Sequence, residues 1–133
     1  MSGETDLTAL LATLSVETDE VIYVFATTSQ VPDGINPIMQ FQERQGMTLI
    51  LPLEEAKQYE LDYEFASRKI TLAVHSSLAA VGFMARIASV LAGKGISVNP
   101  VAGFYHDHLF VPADKCDAAL HCLKQLQQAS SKK

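Results

Sequence analysis

His106, Asp107 and His108 stand in a row within GFYHDHLFVPADK, residues 103 to 115. Imidazole and carboxylate groups ligate metals, and on an extended backbone His106 and His108 alternate onto one side. With Asp107, His75 or a cysteine, the pair could begin a ligand set. A structural zinc needs four ligands, however, and Cys116 and Cys122 lack a close-spaced partner, so no metal is expected. Catalysis finds less support. Serine, histidine and aspartate are all present, but in no nucleophile-elbow context, and no phosphate-cradling glycine loop follows an extended run. Neither cysteine has an electropositive local sequence that would activate a thiol. A chain without catalytic residues or cofactor is expected. Asp107 keeps another ordinary use, as a turn aspartate bonding its own backbone.

The elements that must position these residues belong to a chain of 133 residues, enough for one compact domain or two small halves sharing a core. Hydrophobic residues make up 48% and charged ones 19%, the balance of a folded globular protein rather than a disordered one. The net charge of -5 provides no basic field for a nucleic-acid backbone or an anionic membrane surface. The N-terminal stretch is acidic where a signal peptide is basic, and no apolar run is long enough to span a membrane, so a cytoplasmic location is expected. Cys116 and Cys122, six apart in a helical segment, point to different faces and read as buried free thiols.

Asp6 or Thr5 can cap a short helix whose Leu7, Leu10, Leu11 and Leu14 form one buried stripe. EVIYVFATTS, residues 20 to 29, reads as a strand closed by Val-Pro-Asp-Gly. Residues 38 to 44 and 47 to 51 form a hairpin, Pro52 ends it, and LEEAKQYEL makes two helical turns. Residues 63 to 75 give a long extended run that can serve two neighbouring units. A strong amphipathic helix follows, with Val81, Met84, Ile87, Ala88 and Leu91 on one face and Gly93 and Gly95 at its end. ISVNPVAGF and LFV are strands joined by YHDH. A last helix buries Cys116, Ala119, Leu120, Leu123 and Leu126 before a frayed tail, QQASSKK. The first half lacks the long helix after its first strand but otherwise repeats the order of the second. LILPLEEA from Leu49 and LFVPADKC from Leu109, sixty residues apart, make the duplication explicit.

This order is that of ferredoxin-like, split βαβ units. The segment from Lys69 to Leu126 resembles the ACT domain, carried by VGFMARIASVLAGKGISV and the hairpin ISVNPVAGFYHDHLFV. A narrower likeness is to bacterial ACT-like proteins with one degenerate and one fuller half; the eukaryotic cytosolic arginine sensors look similarly built. Ile96, Ser97, Ala102, Gly103, Phe104, Asp107, His108, Leu109, Phe110 and Val111 fill their hairpin pattern without a gap. Ala102-Gly103 stand where that pattern favours hydroxyl side chains, and Asn99-Pro100 interrupt the strand where apolar residues are usual. The resemblance implies an α+β fold of two ferredoxin-like (βαββαβ-type) halves, residues 1–65 and 66–133, with antiparallel sheets and helices on one face.

It further implies a non-enzymatic regulator that binds an amino acid or similar metabolite and assembles as a homo-oligomer. An amino-acid site must satisfy a carboxylate and an ammonium together. Helix-start N–H groups suit the carboxylate, and Ser76 to Phe83 offers such a start, with Gly82 allowing close backbone approach. The expected ligand-binding residues are Ser76, Ser77, Val81, Gly82, Phe83, Val101, Ala102, Phe104 and Asp107, the last as ammonium partner. Ser76 and Ser77 can equally cap the helix, and Gly82 can serve close helix–sheet packing. The rival reading is a ligand-free interaction or oligomerisation module.

Overall fold

The structure is a computed structural model that describes residues 6–74 and 82–131. Helix α1 (Leu7–Ala12) is capped by Asp6, whose carboxylate accepts from the Thr8 and Ala9 N–H groups. Its stripe, Leu10 and Leu11, is buried together with Leu14. Strands β1 (Val16–Thr18), β2 (Tyr23–Thr28), β3 (Met39–Gln42) and β4 (Met47–Pro52) precede α2 (Leu53–Gln58) and the long β5 (Asp62–Leu72). Then come α3 (Phe83–Ala92), β6 (Asn99–Ala102), β7 (Asp107–Pro112), a 3-10 turn (Ala113–Lys115) and α4 (Cys116–Ser131).

These strands form one antiparallel sheet ordered β3-β4-β2-β5-β7-β6, with β1 also paired to β5. Two units emerge from the register. The first end of β5, through Ser67, pairs with β2; its second end, Ser67 to Leu72, pairs with β7, and Ile70 to Leu72 also pair with β1. One unit therefore runs β3-β4-β2-β5 and the other β6-β7-β5-β1, the same order built around a strand that belongs to both. The long extended run is indeed shared, and the division at 65/66 falls inside it. The fourth strand of the second unit is β1, supplied from the N-terminus.

Duplication is also visible in detail. Strands β4 and β7 share one burial pattern, outer residues half-buried and three central ones buried, and each ends at a proline that opens a helical segment. Pro52 and Pro112 lie in a single row across the sheet, Pro52 beside Tyr23, Tyr23 beside Ser67 and Ser67 beside Pro112. At this row β5 changes partners. The register slips, Phe65 takes a left-handed φ of 66°, and the buried Ser67 hydroxyl donates to the Tyr23 carbonyl at 2.9 Å.

Period-two alternation sorts β5 and β7 into two faces. Ile70, Leu72, Leu109 and Val111 join α1, α3 and α4 in the larger core, while Val24, Ala26, Leu49 and Leu51 meet Ala56 of α2 in a smaller one. The opposite face bears a third cluster of Tyr23, Ile50 and Phe110, with Phe25, Met39, Phe65 and Val101 packed against it. Met39 and Val101 come from opposite edge strands, so the sheet curls towards this helix-free side.

Three expectations need correcting. The hairpin turn is residues 103 to 106, closed by the Gly103 N–H donating to the His106 carbonyl; Asp107 and His108 are strand residues, and Asp107 is not a turn aspartate. Asn99 and Pro100 do not interrupt β6 but open it, which an edge strand allows because proline there forfeits no ladder bond. The tail is not frayed through QQASS: α4 continues to Ser131, held where the Gln127 amide donates to the Ala12 carbonyl at 2.8 Å.

Candidate functional site

The start of α3 owes its shape to Gly82, whose φ of 89° and ψ of -14° are left-handed. Among the described residues a Cβ there would meet Leu7 Cδ2, at 3.8 Å, an ordinary contact, and it is the backbone angle that calls for glycine. The Gly82 carbonyl accepts from Arg86 N at 2.9 Å, while the first-turn N–H groups have no intrahelical acceptor and sit at the positive end of the helix dipole. Phe83 is buried in the larger core and anchors this helix start there.

Asp107 lies in the row formed by Ala102, Asp107 and Leu72. It shares the side of Leu72 and Leu109, the helix-bearing side, and is half-buried. Ala102, Asp107 and Leu72 thus stand together at one end of the second unit's strands, while Gly82 and Phe83 open α3 in the same unit. Val101 is not among them: paired with His108, it faces the helix-free side. Phe104 lies at the hairpin tip, 77% exposed, its ring edge-on to Tyr105 at 5.1 Å. Ser76, Ser77 and Val81 lie outside the described residues.

The helix-free face holds a second polar set. His108 Nδ1 is 2.9 Å from Thr71 Oγ1, and burial, reinforced by Lys69 and His106 and opposed by Asp107, pulls the imidazole pKa below its usual value. Lys69 Nζ is 5.5 Å from the centre of the Tyr23 ring and 3.9 Å from Asp19 Oδ2. A cavity of about 310 Å³ is lined by Ile38, Met39, Lys69, Val101, Gly103, His108 and Phe110. Sequence reasoning passed over Ile38, Met39, Lys69 and Phe110. The alternation in SRKITL and DHLFVP carried the signal, since Lys69, Thr71, His108 and Phe110 are the residues out of phase with the core. Among the described residues no three histidine, cysteine or acidic side chains come together as a metal would require. Nor is any helix there long and apolar enough to cross a membrane.

The likenesses to known proteins follow the same division. One ACT domain profile matches residues 2–68 and another residues 64–125. Their overlap lies in β5, the strand common to both units. No curated protein matches the chain. Among solved structures, a Vibrio cholerae protein of unknown function, described as a possible transport protein, is 40% identical with a TM-score of 0.84, covering 92% of this chain and 97% of that one. A protein from Agrobacterium tumefaciens is 16% identical with a TM-score of 0.73, over 86% of this chain and 89% of that one. The ligand-free regulatory subunit of aspartate kinase from Thermus thermophilus superposes with a TM-score of 0.62 at 16% identity, over 86% and 96% of the two chains. The last two likenesses are of fold. With profiles across both halves and the same strand order in each, the chain belongs to the ACT domain family, as a tandem pair of ferredoxin-like units fused through one strand.

Proposed function

We propose that this protein is a non-enzymatic regulator whose second unit binds an amino acid or a similar small metabolite. The observation that supports this reading is a helix start opened by left-handed Gly82 in the same unit as Asp107, which stands beside Leu72 on the helix-bearing side of the sheet. First-turn N–H groups of α3 receive the ligand carboxylate, helped by the helix dipole, and Asp107 receives its ammonium. Ala102 leaves room beside the acid. The side chains of Val101 and Phe104 point elsewhere, so these two contribute backbone only.

Binding between β5, α3 and the β6–β7 hairpin favours the arrangement in which they are drawn together, and the ligand regulates through that preference. Self-association is the readout. Edge strand β3 is open, with Phe41 65% exposed, whereas the other edge, β6, is blunted by Pro100. Pairing of β3 with a second copy would hide its unpaired backbone groups.

A thermal-shift screen of the amino acids tests the reading, with Asp107→Ala alongside. Stabilisation by one compound, lost in the variant, is expected; at a hundredfold excess over Kd it amounts to about 2.7 kcal/mol. If no amino acid stabilises the protein while it still self-associates, the unit is an interaction module and the sensor reading fails.

A further inference from the structure

The cavity on the helix-free face differs in chemistry from the site at the start of α3. We propose that it is a separate binding site for a small carboxylate with an apolar body and no ammonium group, such as a branched-chain 2-oxo acid.

The lining is asymmetric. Ile38, Met39, Val101 and Phe110 give apolar walls, and Lys69 and His108 are the polar side chains among them; no lining residue is acidic. An ammonium would find no counter-charge there, whereas a carboxylate meets a lysine. Lys69 is available for it: its contact with Asp19 is loose, 3.9 Å, and Asp19 already accepts from the Tyr23 hydroxyl through Oδ2 and from the Val21 N–H through Oδ1. Its ammonium lies over the face of the Tyr23 ring, 5.5 Å from the centre, a cation–π contact that limits its swing without neutralising its charge.

His108 is the second anchor. When Thr71 donates its hydroxyl proton to Nδ1, the neutral ring carries its hydrogen on Nε2, a donor for a carboxylate or keto oxygen. Gly103 keeps this edge of the ring uncovered: a Cβ at that position would lie 3.4 Å from Nε2 and 2.9 Å from the His106 carbonyl oxygen. The volume, about 310 Å³, suits a compact ligand, at the small end of the range of about 300–1,000 Å³ for such sites.

Position adds a consequence. Ile38 and Met39 belong to the first unit, Val101, Gly103, His108 and Phe110 to the second, and Lys69 to the strand they share. An occupant therefore touches both units, which the α3 site does not.

The experiment is a titration of the full chain, labelled with ¹⁵N, with 4-methyl-2-oxopentanoate and, separately, leucine. The oxo acid is expected to give saturable amide shifts at Val101, Gly103 and His108, with leucine at least tenfold weaker at these positions. Lys69→Met, which keeps the apolar stem, and Ile38→Trp, which fills the mouth from an exposed position, should each weaken oxo-acid binding tenfold or more. Asp107→Ala should leave it unchanged, so failure of the amino-acid site and failure of this one are distinguishable. Shifts confined to the start of α3, equal binding of leucine here, no saturation at millimolar oxo acid, or undiminished binding by folded Lys69→Met would each overturn the proposal.

Discussion

The two units share a strand order and differ in what joins their first strand to their second. In the second unit that connection contains α3, ten residues long, which enters the larger core through Phe83, Ile87 and Leu91. In the first it is an irregular stretch, residues 29 to 38, from which Val31 and Ile35 cover a cluster of only five buried residues, against sixteen in the other among the described residues. Losing the helix removed the first unit's N–H-bearing helix start along with its packing. A duplicated fold can thus keep its sheet while one copy surrenders the means to bind at that place, and the surrendered copy survives because β5 ties it to a better-filled neighbour.

The strongest way to break this comparison is to hollow out each core in turn. Leu91→Ala and Leu51→Ala each truncate a fully buried leucine, and each should cost about 2–5 kcal/mol. Because β5 belongs to both units, either change should lower one common unfolding transition. Two separated calorimetric transitions in Leu51→Ala would show that the small unit melts alone, and the idea of mutual support would be lost. A smaller effect, about 1–2 kcal/mol, is expected for Gly82→Ala, since its φ of 89° is costly for any residue with a Cβ. The same variant should weaken amino-acid binding, while Gly34→Ala, at a left-handed glycine of the first unit's loop, should destabilise but leave binding intact. Equal loss of binding in both would erase the functional distinction between the units.

The smallest effect concerns pH. Burial lowers the His108 pKa in the folded protein, so the unfolded chain binds the proton more readily. The stability that rests on neutral His108 is complete above the ordinary histidine pKa of about 6.5 and declines as pH falls through that value towards the lowered one. Denaturant midpoints at about pH 7.5 and about pH 5.5 should therefore differ less in His108→Gln than in the parent. An unchanged difference would remove the histidine from the account.

Much of this was legible in the chain. The leucine stripe of α1, the apolar runs of β4 and β7, the LILPLEEA and LFVPADKC echo and the glycine before α3 follow local rules, and the structure carries all of them. What sequence could not show was long-range. Val16–Thr18 is three residues, mostly exposed, with no alternation to announce a strand; it is one only because Ile70 to Leu72 receive it. Asp107 looked like a turn residue because the hairpin loop reads two residues late in the sequence, as 105 to 108, where a polar YHDH run masks the start of the strand. The helix-free cavity depends on the curl that brings Met39 and Val101 together, which no run of neighbouring residues encodes.

The N-terminal segment has a further consequence, in the order of events on the ribosome. Residues 6 to 18 emerge first, yet the residues that receive them, from Ile70 in β5 to Gln127 in α4, emerge far later. Until then α1 is a six-residue amphipathic helix with no surface to cover its leucines, too short to persist alone. The first unit can assemble its sheet while the second is still being made, but the second waits for α4 to join the α1 and β1 made long before. Closing of the second unit therefore waits on α4, although β1 was made before any other strand of the sheet, and crowding of α1 should be felt in a unit built mostly of later residues.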